Sequence, residues 1–157
     1  MPKSSLYPAT GFFLLTDIDR GGLRTYLCDT DNIAKGDFLH DDTTGYATNA
    51  TTSFTVAAIG VANEPVDNSG GSKGDESIIV IPWSYNCQFI VAVEADALIT
   101  QSAVGTLVDL QSVNTIDISD TTIATGPGFW IDEIDVSTAA IAANTFGFAI
   151  GHFIHTD

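Results

Sequence analysis

The residues best suited to chemistry in this sequence are three histidines, two cysteines and several short clusters of carboxylates. Nucleophilic catalysis needs a serine or cysteine beside a base that a third group orients. No serine lies in a Gly-x-Ser-x-Gly turn, and His40, His152 and His155 are interpreted as surface residues. The pattern of acidic residues at Asp132, Glu133 and Asp135 is typical of a strand face exposed to solvent. We therefore expect that the protein is not an enzyme.

The spacing of the metal-ligating residue types predicts no metal site. His152 and His155 are three residues apart on an apparent strand, so their side chains point to opposite faces. Two aspartate pairs, Asp17-x-Asp19 and Asp29-x-Asp31, begin like calcium loops, but no third oxygen ligand and distal glutamate follow at the required spacing. Aspartates before turns usually bind their own backbone. No metal or other cofactor is predicted.

The charge is unevenly distributed along the chain. The sequence has 20 acidic and 5 basic residues, for a formal net charge of −15 at pH 7. Residues 36–157 hold one base, Lys73, against 16 acids. An acidic surface repels phosphate, so nucleic acid is not an expected partner. The same charge keeps copies soluble and apart unless a specific contact overcomes the repulsion, and it is equally typical of an ordinary acidic or salt-adapted protein.

The chain has a high hydrophobic content and few charged residues. Hydrophobic residues make up 45% of it and charged residues 16%, against roughly 25% charged in an average soluble protein. This composition predicts that further surface is buried in an oligomer. The longest apolar runs are far shorter than the roughly 20 residues of a membrane helix, so a membrane is not an expected partner, and no signal peptide is expected. Cys28 and Cys87 could form one disulfide, but buried free thiols are the favoured interpretation.

The elements that must position these residues are predicted to be strands. The chain is organised around residues 54–93, with strands at 54–62, 77–83 and 87–93. A glycine-rich loop at 63–76 joins the first two strands, and its residues 68–74 are interpreted as a flexible hairpin tip. Further strands are predicted at 11–16 and 23–28, as a possible hairpin, and at 35–40, 97–100, 104–110, 112–122, 129–136 and 145–155. A bulge is expected after Ile131 and one helical turn at 137–144.

No stretch carries a sustained helical period, and short strands recur at intervals of about ten residues. The predicted fold is all-β: a small β-barrel or β-sandwich of about nine to twelve short strands at residues 11–157, preceded by an extended N-terminal arm at residues 1–10. In the last strand Gly147, Ala149 and Gly151 make one face small, which permits close approach of another backbone.

The order of motifs over residues 35–110 resembles a known family. The motifs are Lys35-Gly-Asp-Phe, Ala57-Ala-Ile-Gly-Val-Ala62, a glycine loop, Ile78 to Ile81, Phe89 to Val93, and Val104-Gly-Thr-Leu-Val-Asp109. This order resembles the small β-barrel head-decoration, or capsid cement, proteins of tailed bacteriophages. The chain departs from the family pattern at Pro82-Trp-Ser-Tyr-Asn86, where the family has a glycine turn.

The resemblance implies a homotrimer, or a similar ring, on the outer capsid surface of a virion. Its expected partners are the major capsid protein and further copies of itself. Within residues 1–24, the side chains expected to reach a neighbouring subunit or the capsid are Lys3, Tyr7, Arg20 and Arg24.

An alternative function is a receptor- or glycan-binding module on a virion fibre or a cell surface. Its stacking platforms would be Trp83, Tyr85 and Trp130. Aromatic residues near loops also commonly serve as lids on a core.

Overall fold

The structure, a computed structural model, describes residues 7, 10–16, 22–50, 54–55, 57–84, 87–94, 97–121 and 126–156. Within these residues the chain forms thirteen strands, one α-helix and one 3₁₀-helix at Gln101–Ala103. The predicted all-β fold is confirmed. The elements in chain order are β1 (Phe12–Leu14), β2 (Arg24–Leu27), β3 (Asn32–Ile33), β4 (Phe38–Asp41), β5 (Ala47–Asn49), β6 (Ala58–Ala62), β7 (Val66–Asp67), β8 (Ser77–Pro82), β9 (Phe89–Ala92), β10 (Leu107–Ser112), β11 (Thr115–Asp117), β12 (Gly126–Asp135), α1 (Thr138–Ala143) and β13 (Phe148–Thr156).

Two larger sheets form the body of the molecule. One has six strands in the order β1-β9-β13-β12-β10-β11, and the other has five in the order β2-β8-β6-β4-β5. The predicted hairpin over residues 12–28 is wrong, because β1 pairs with β9 and β2 pairs with β8 in the other sheet. Strands β1 and β2 each make their backbone hydrogen bonds with a strand that is distant in the sequence, and they do not pair with each other.

The five-stranded sheet curls until its two outer strands meet. All its pairings are antiparallel, so β2 and β5 run in the same direction. Cys28, which follows β2, forms a parallel bridge with Ala47 of β5, and the Asp29 N–H donates to the Ala47 carbonyl at 2.9 Å. The short ribbon β3–β7 lies at this end, where the Asn68 N–H donates to the Asp31 carbonyl at 2.8 Å. We call the curled sheet the half-barrel.

The central core lies between the two sheets and is built around one phenylalanine. The ring of Phe153 on β13 has its centroid between 5.1 and 5.5 Å from those of five other phenylalanines. These are Phe12, Phe38, Phe54, Phe89 and Phe129. Because they come from both sheets and from the segment before β6, this one cluster joins the sheets.

Two further apolar clusters lie outside the central core. The barrel cluster lies on the half-barrel and contains Cys28, Ile33, Leu39, Ala47, Ile59, Ala62, Ile78 and Val80. The outer cluster lies on the six-stranded sheet with α1 and contains Ile90, Ala92, Ala140, Phe148 and Ile150. The chain therefore buries apolar side chains in three places, in agreement with its high hydrophobic content.

The long hairpin β12–β13 contains features that the sequence predicts. A register shift lies between Ile131 and Glu133, which confirms the expected bulge. A Cβ atom on Gly151 would lie 1.9 Å from the Trp130 carbonyl oxygen, so the expected close backbone approach is also confirmed. The short helix α1 begins after Ser137, whose hydroxyl accepts from the Ala140 N–H at 3.4 Å and caps the helix.

Other predictions fare differently. Residues 97–100 do not form a strand: Ile99 is buried and its N–H donates to the Phe146 carbonyl, but a 3₁₀-helix follows at once. The glycine-rich loop joins the antiparallel strands β6 and β8, so the predicted hairpin forms, with β7 inside the loop and the buried Asn68 at the start of its tip. Both cysteines are buried and free, as favoured. Among the described residues no helix is long and apolar enough to span a membrane.

Candidate functional site

The structure describes four of the seven side chains predicted to bind a partner. Lys3 and Arg20 of the arm, and Tyr85 of the stacking platform, lie outside the described residues. Tyr7, Arg24, Trp83 and Trp130 are described, and they fall at three separate places on the molecule.

Tyr7 lies against the outer face of its own six-stranded sheet. Its ring centroid is 4.7 Å from that of Phe148, and its hydroxyl donates to the carboxylate of Asp135. It packs against the outer cluster beside Phe13 and Leu15. The predicted arm is therefore attached to the body of the same chain at this residue.

Trp83 and Trp130 do not form one platform. Trp130 is half-buried on β12, where it lies opposite His152 of β13. Trp83 follows β8 of the other sheet, and its ring stacks on His155 with centroids 5.7 Å apart. His152 and His155 are thus in different surroundings, as their spacing predicts. Among the described residues no group of three histidine, cysteine or carboxylate side chains is arranged to hold a metal ion.

The structure does bring Trp83 and Arg24 together, although the sequence placed them in different hypotheses. Both line an open groove of about 690 Å³ at the end of the half-barrel opposite the ribbon β3–β7. We call this groove the mouth. Its walls come from β2, the end of β4, the start of β6 and the end of β8, with side chains from Arg24, Tyr26, Asp41, Ile59, Trp83 and Ser84.

The tryptophan wall of the mouth is held in a fixed orientation. The Trp83 indole Nε1 donates to the Ala58 carbonyl at 3.0 Å, and its backbone N–H donates to the Ile59 carbonyl at 3.2 Å. The stacked ring of His155 packs against the indole at an interplanar angle of 30°. The indole N–H is thus bonded to the protein, and the half-buried ring also packs against the central core.

The opposite wall contains a carboxylate that is fixed by backbone donors. One oxygen of Asp41 accepts from the N–H of Thr43 at 2.7 Å and from that of Gly45 at 3.0 Å. The Asp41 N–H donates to the Ala57 carbonyl at 2.8 Å, which ties this wall to the start of β6. The carboxylate is half-buried. The turn after β4 therefore presents a preoriented acceptor at the mouth.

Arg24 and Tyr26 form the third wall. They are two residues apart on β2, so they extend to the same face of the sheet. Tyr26 is half-buried and packs against the barrel cluster, whereas Arg24 is exposed and donates to the Leu23 carbonyl at 3.2 Å. The mouth thus combines two aromatic residues, one guanidinium and one carboxylate.

The single base of residues 36–157 is engaged beside the turn between β4 and β5. Lys73 Nζ contacts the carboxylate of Asp42 and lies 3.4 Å from that of Asp29. The contact with Lys73 lowers the pKa of Asp42 below its usual range and raises the pKa of Lys73. This ion-pair group fastens the glycine-rich loop to the turn between β4 and β5.

A second hollow, of about 300 Å³, contains a combination that sequence reasoning missed. Cys87, Asp132 and His152 line it together with Thr16, and His152 Nδ1 lies 2.7 Å from an Asp132 carboxylate oxygen. Nucleophile, base and orienting acid are the components of a catalytic triad. Burial, however, raises the pKa of the Cys87 thiol, and a hydrogen bond with Thr16 offsets this only in part. The raised pKa favours the thiol over the nucleophilic thiolate.

No sequence signal could have found this second hollow. Cys87 precedes β9 and His152 lies on β13, and they meet only because Phe89 pairs with Gly151. A strand pairing over that distance leaves no motif in the sequence.

No protein-family model matches the chain, and no curated protein matches it significantly. The function is therefore inferred from the residues described above. Of the two hollows described, the mouth has the more developed geometry, because its aromatic and carboxylate walls are both fixed by hydrogen bonds to the backbone.

Proposed function

We propose that this protein is a structural virion protein that decorates and stabilises the capsid of a tailed bacteriophage as an oligomer, with a trimer as the expected form. The motif order over residues 35–110 motivates the proposal. The observation that carries it is the attachment of Tyr7, which gives the preceding residues a fixed origin on the surface of the body. The expected partners are the major capsid protein and neighbouring copies of the chain.

The N-terminal residues suit this role chemically. Six residues precede Tyr7, and they include Lys3 and no acid. An extended segment of this kind can add a strand to the exposed sheet edge of a neighbour, where main-chain hydrogen bonds supply the affinity. The arm would then connect two subunits while Tyr7 holds its base on the parent chain.

Exposed apolar side chains near the β12–β13 connection offer a second contact. Leu98 and Val136 are 44% and 41% exposed. Ile99, the neighbour of Leu98, and Val136 both approach Gly147, whose Cβ position would lie 3.0 and 3.2 Å from their methyl groups. The two exposed side chains therefore lie at the same end of the molecule. Burying them against a neighbouring subunit would remove apolar surface from water.

The arm is tested by binding to empty capsids that lack this protein, prepared from the virus that encodes it. We expect a chain without residues 1–6 to lose most of its occupancy, because the strand-forming segment is gone. Tyr7→Ala should also bind weakly, whereas Tyr7→Phe keeps the ring contact with Phe148 and should bind nearly as the wild type does. Unchanged occupancy after the deletion would remove the arm from the mechanism, and failure of the intact chain to bind would end the decoration proposal.

The oligomer is tested by light-scattering mass in solution. A trimer is the expected result, and Leu98→Ser combined with Val136→Ser should shift the distribution toward the monomer. A strict monomer for the wild type across the accessible concentration range would contradict the proposed assembly.

A glycan- or receptor-binding module is the second candidate function. The observation that favours it is the mouth, where Trp83 of the predicted stacking platform meets Arg24 in one concave site. A virion protein could have both functions, since the mouth and the Tyr7 attachment lie on different sheets.

A further inference from the structure

We propose that the mouth of the half-barrel binds a neutral saccharide, with Trp83 as its stacking platform. The inference rests on the second candidate function and does not depend on capsid decoration. It names the ligand class from the shape of the site, its aromatic wall and the charges at its rim.

The shape is that of a preformed binding site. Ligand sites are concave, measure about 300–1,000 Å³ and often occupy the mouths of β-barrels. The mouth is a groove of about 690 Å³ at the open end of the half-barrel, and the ribbon β3–β7 lies at the other end. An open groove of this size fits a chain of linked rings lying along it or one end of such a chain.

The aromatic wall suits the apolar face of a sugar ring. A pyranose presents a patch of C–H groups on one face, and these pack against a flat aromatic surface, which is amphipathic in tryptophan and tyrosine. The Trp83 ring is already fixed by its bond to the Ala58 carbonyl and by stacking on His155. Little side-chain entropy is therefore lost when a ligand packs against it.

The polar walls suit hydroxyl groups. A sugar hydroxyl both donates and accepts, so it is best satisfied between an acceptor and a donor. Asp41 supplies a preoriented carboxylate on the β4 side, and Arg24 supplies guanidinium donors on the β2 side. Hydrogen bonds to charged groups of this kind are stronger than those between neutral groups.

The charges favour a neutral sugar over an acidic one. Arg24 is the only base among the described residues that line the mouth, and Asp41 lies in the same groove. The whole chain carries a formal charge of −15, which repels anionic ligands at a distance. A purely apolar ligand would leave Arg24 and Asp41 without compensation for lost water.

The test uses the intrinsic fluorescence of Trp83. The chain has two tryptophans, so Trp130→Phe leaves Trp83 as the single reporter, in a protein whose mouth is unchanged. This variant is titrated with cellohexaose, maltohexaose and chitohexaose, and with polygalacturonate as an acidic comparison. We expect a saturable change with at least one neutral oligosaccharide and none with polygalacturonate. No saturable change with any neutral oligosaccharide, or a preference for the acidic polymer, would overturn the proposal.

Variants then locate the binding. By calorimetry we expect Trp83→Ala to weaken binding by at least about tenfold and Arg24→Gln by about tenfold, the factor that corresponds to one lost hydrogen bond to a charged group. Trp130→Phe should bind as the wild type does. Because Arg24 is exposed, Arg24→Gln remains a valid test if Trp83→Ala fails to fold. Wild-type affinity in Arg24→Gln, or loss of binding in Trp130→Phe, would sink the assignment.

The two proposals fail separately. A protein that coats capsids but binds none of the three neutral oligosaccharides contradicts the saccharide site alone. A protein that binds an oligosaccharide through Trp83 but does not bind capsids contradicts the decoration proposal alone.

Discussion

The two ends of the half-barrel are built from the same five strands but are finished in opposite ways. At the closed end the ribbon β3–β7 and the loop after it satisfy backbone groups and cover apolar side chains. There the Asn68 amide donates to the carbonyls of Asp29 and Ser72, at 3.0 and 2.9 Å. At the open end Trp83, Arg24 and Asp41 surround a groove that no described segment of the chain fills.

The difference between the two ends indicates which residues stabilise the fold and which are accessible to a ligand. Cys28 and Ile33 are fully buried near the closed end, whereas Arg24 at the mouth is exposed. Substitutions of buried residues at the closed end should therefore change the free energy of unfolding. Substitution of Arg24 at the mouth should change binding and leave folding almost unaltered.

The largest effect is expected from Ile78→Ala in the barrel cluster. Ile78 is fully buried on β8 opposite Tyr26, and the lost contacts and the resulting cavity should cost about 3–4 kcal/mol. The matched control is Ile79→Ala, one residue along on the other face and half-exposed, where about 1 kcal/mol is expected. Urea denaturation of both variants measures the difference. Equal losses would show that the barrel cluster is not a separate packed core.

A smaller loss is expected from Asn68→Ala in the glycine-rich loop. The side chain is buried, and its removal deletes the two hydrogen bonds that its amide donates to the carbonyls of Asp29 and Ser72, at a cost of about 2 kcal/mol. The control is Ser69→Ala, since Ser69 is exposed and bonds only to neighbouring Asp67. If denaturation gives the same stability for both variants, the closed end does not depend on Asn68.

The third effect is a change in pH dependence at Asp37, which precedes β4. Burial raises the pKa of this carboxyl, the Ala34 N–H partly offsets the shift, and the charge of Asp31 adds to it. The folded protein thus holds the proton more tightly than the unfolded chain. The stability that this group contributes is complete below the ordinary pKa of 3.8 and is lost as the pH rises through the raised value.

Asp37→Asn cannot lose a proton, so it should gain stability relative to the wild type as the pH rises from acidic values to neutrality. Chemical denaturation at several pH values measures the gain, with Glu76→Gln as the control because Glu76 is exposed. Parallel stability profiles for Asp37→Asn and the wild type would show that Asp37 is not responsible.

The smallest effect on folding is expected from Arg24→Gln at the mouth. Arg24 is exposed, and substitutions at such positions usually change stability by no more than about 0.5 kcal/mol. Thermal unfolding followed by circular dichroism measures it. A loss as large as that of Asn68→Ala would mean that the open end also supports the fold, and the contrast between the two ends would then fail.

Local features of the fold could be predicted because a few neighbouring residues determine them. The apolar runs gave β8, β9 and β13, the parity change after Ile131 gave the bulge, and Ser137 before an alanine-rich stretch gave α1. Alternation and capping act over a few residues, so a single sequence contains them.

Features that depend on distant pairing could not be predicted. The 12–28 hairpin failed because β2 finds its partner in β8, and that pairing also brings Arg24 to Trp83 and so creates the mouth. Residues 97–100 have the composition of a strand. In the structure, however, the Ile99 N–H donates to the Phe146 carbonyl and the Ile99 side chain is buried, without strand pairing. Tertiary contacts override local preference at both places.

The Cys28 thiol lies where the half-barrel closes, and it is fully buried. Burial also raises its pKa, with the charge of Glu76 adding to the effect. A thiol-directed reagent can attack this sulfur only while the structure around it is open, so the rate of alkylation in a Cys87→Ser background measures how often this closure opens. Cys28 is thus a native probe of local opening at the point where the half-barrel closes, and no label needs to be introduced.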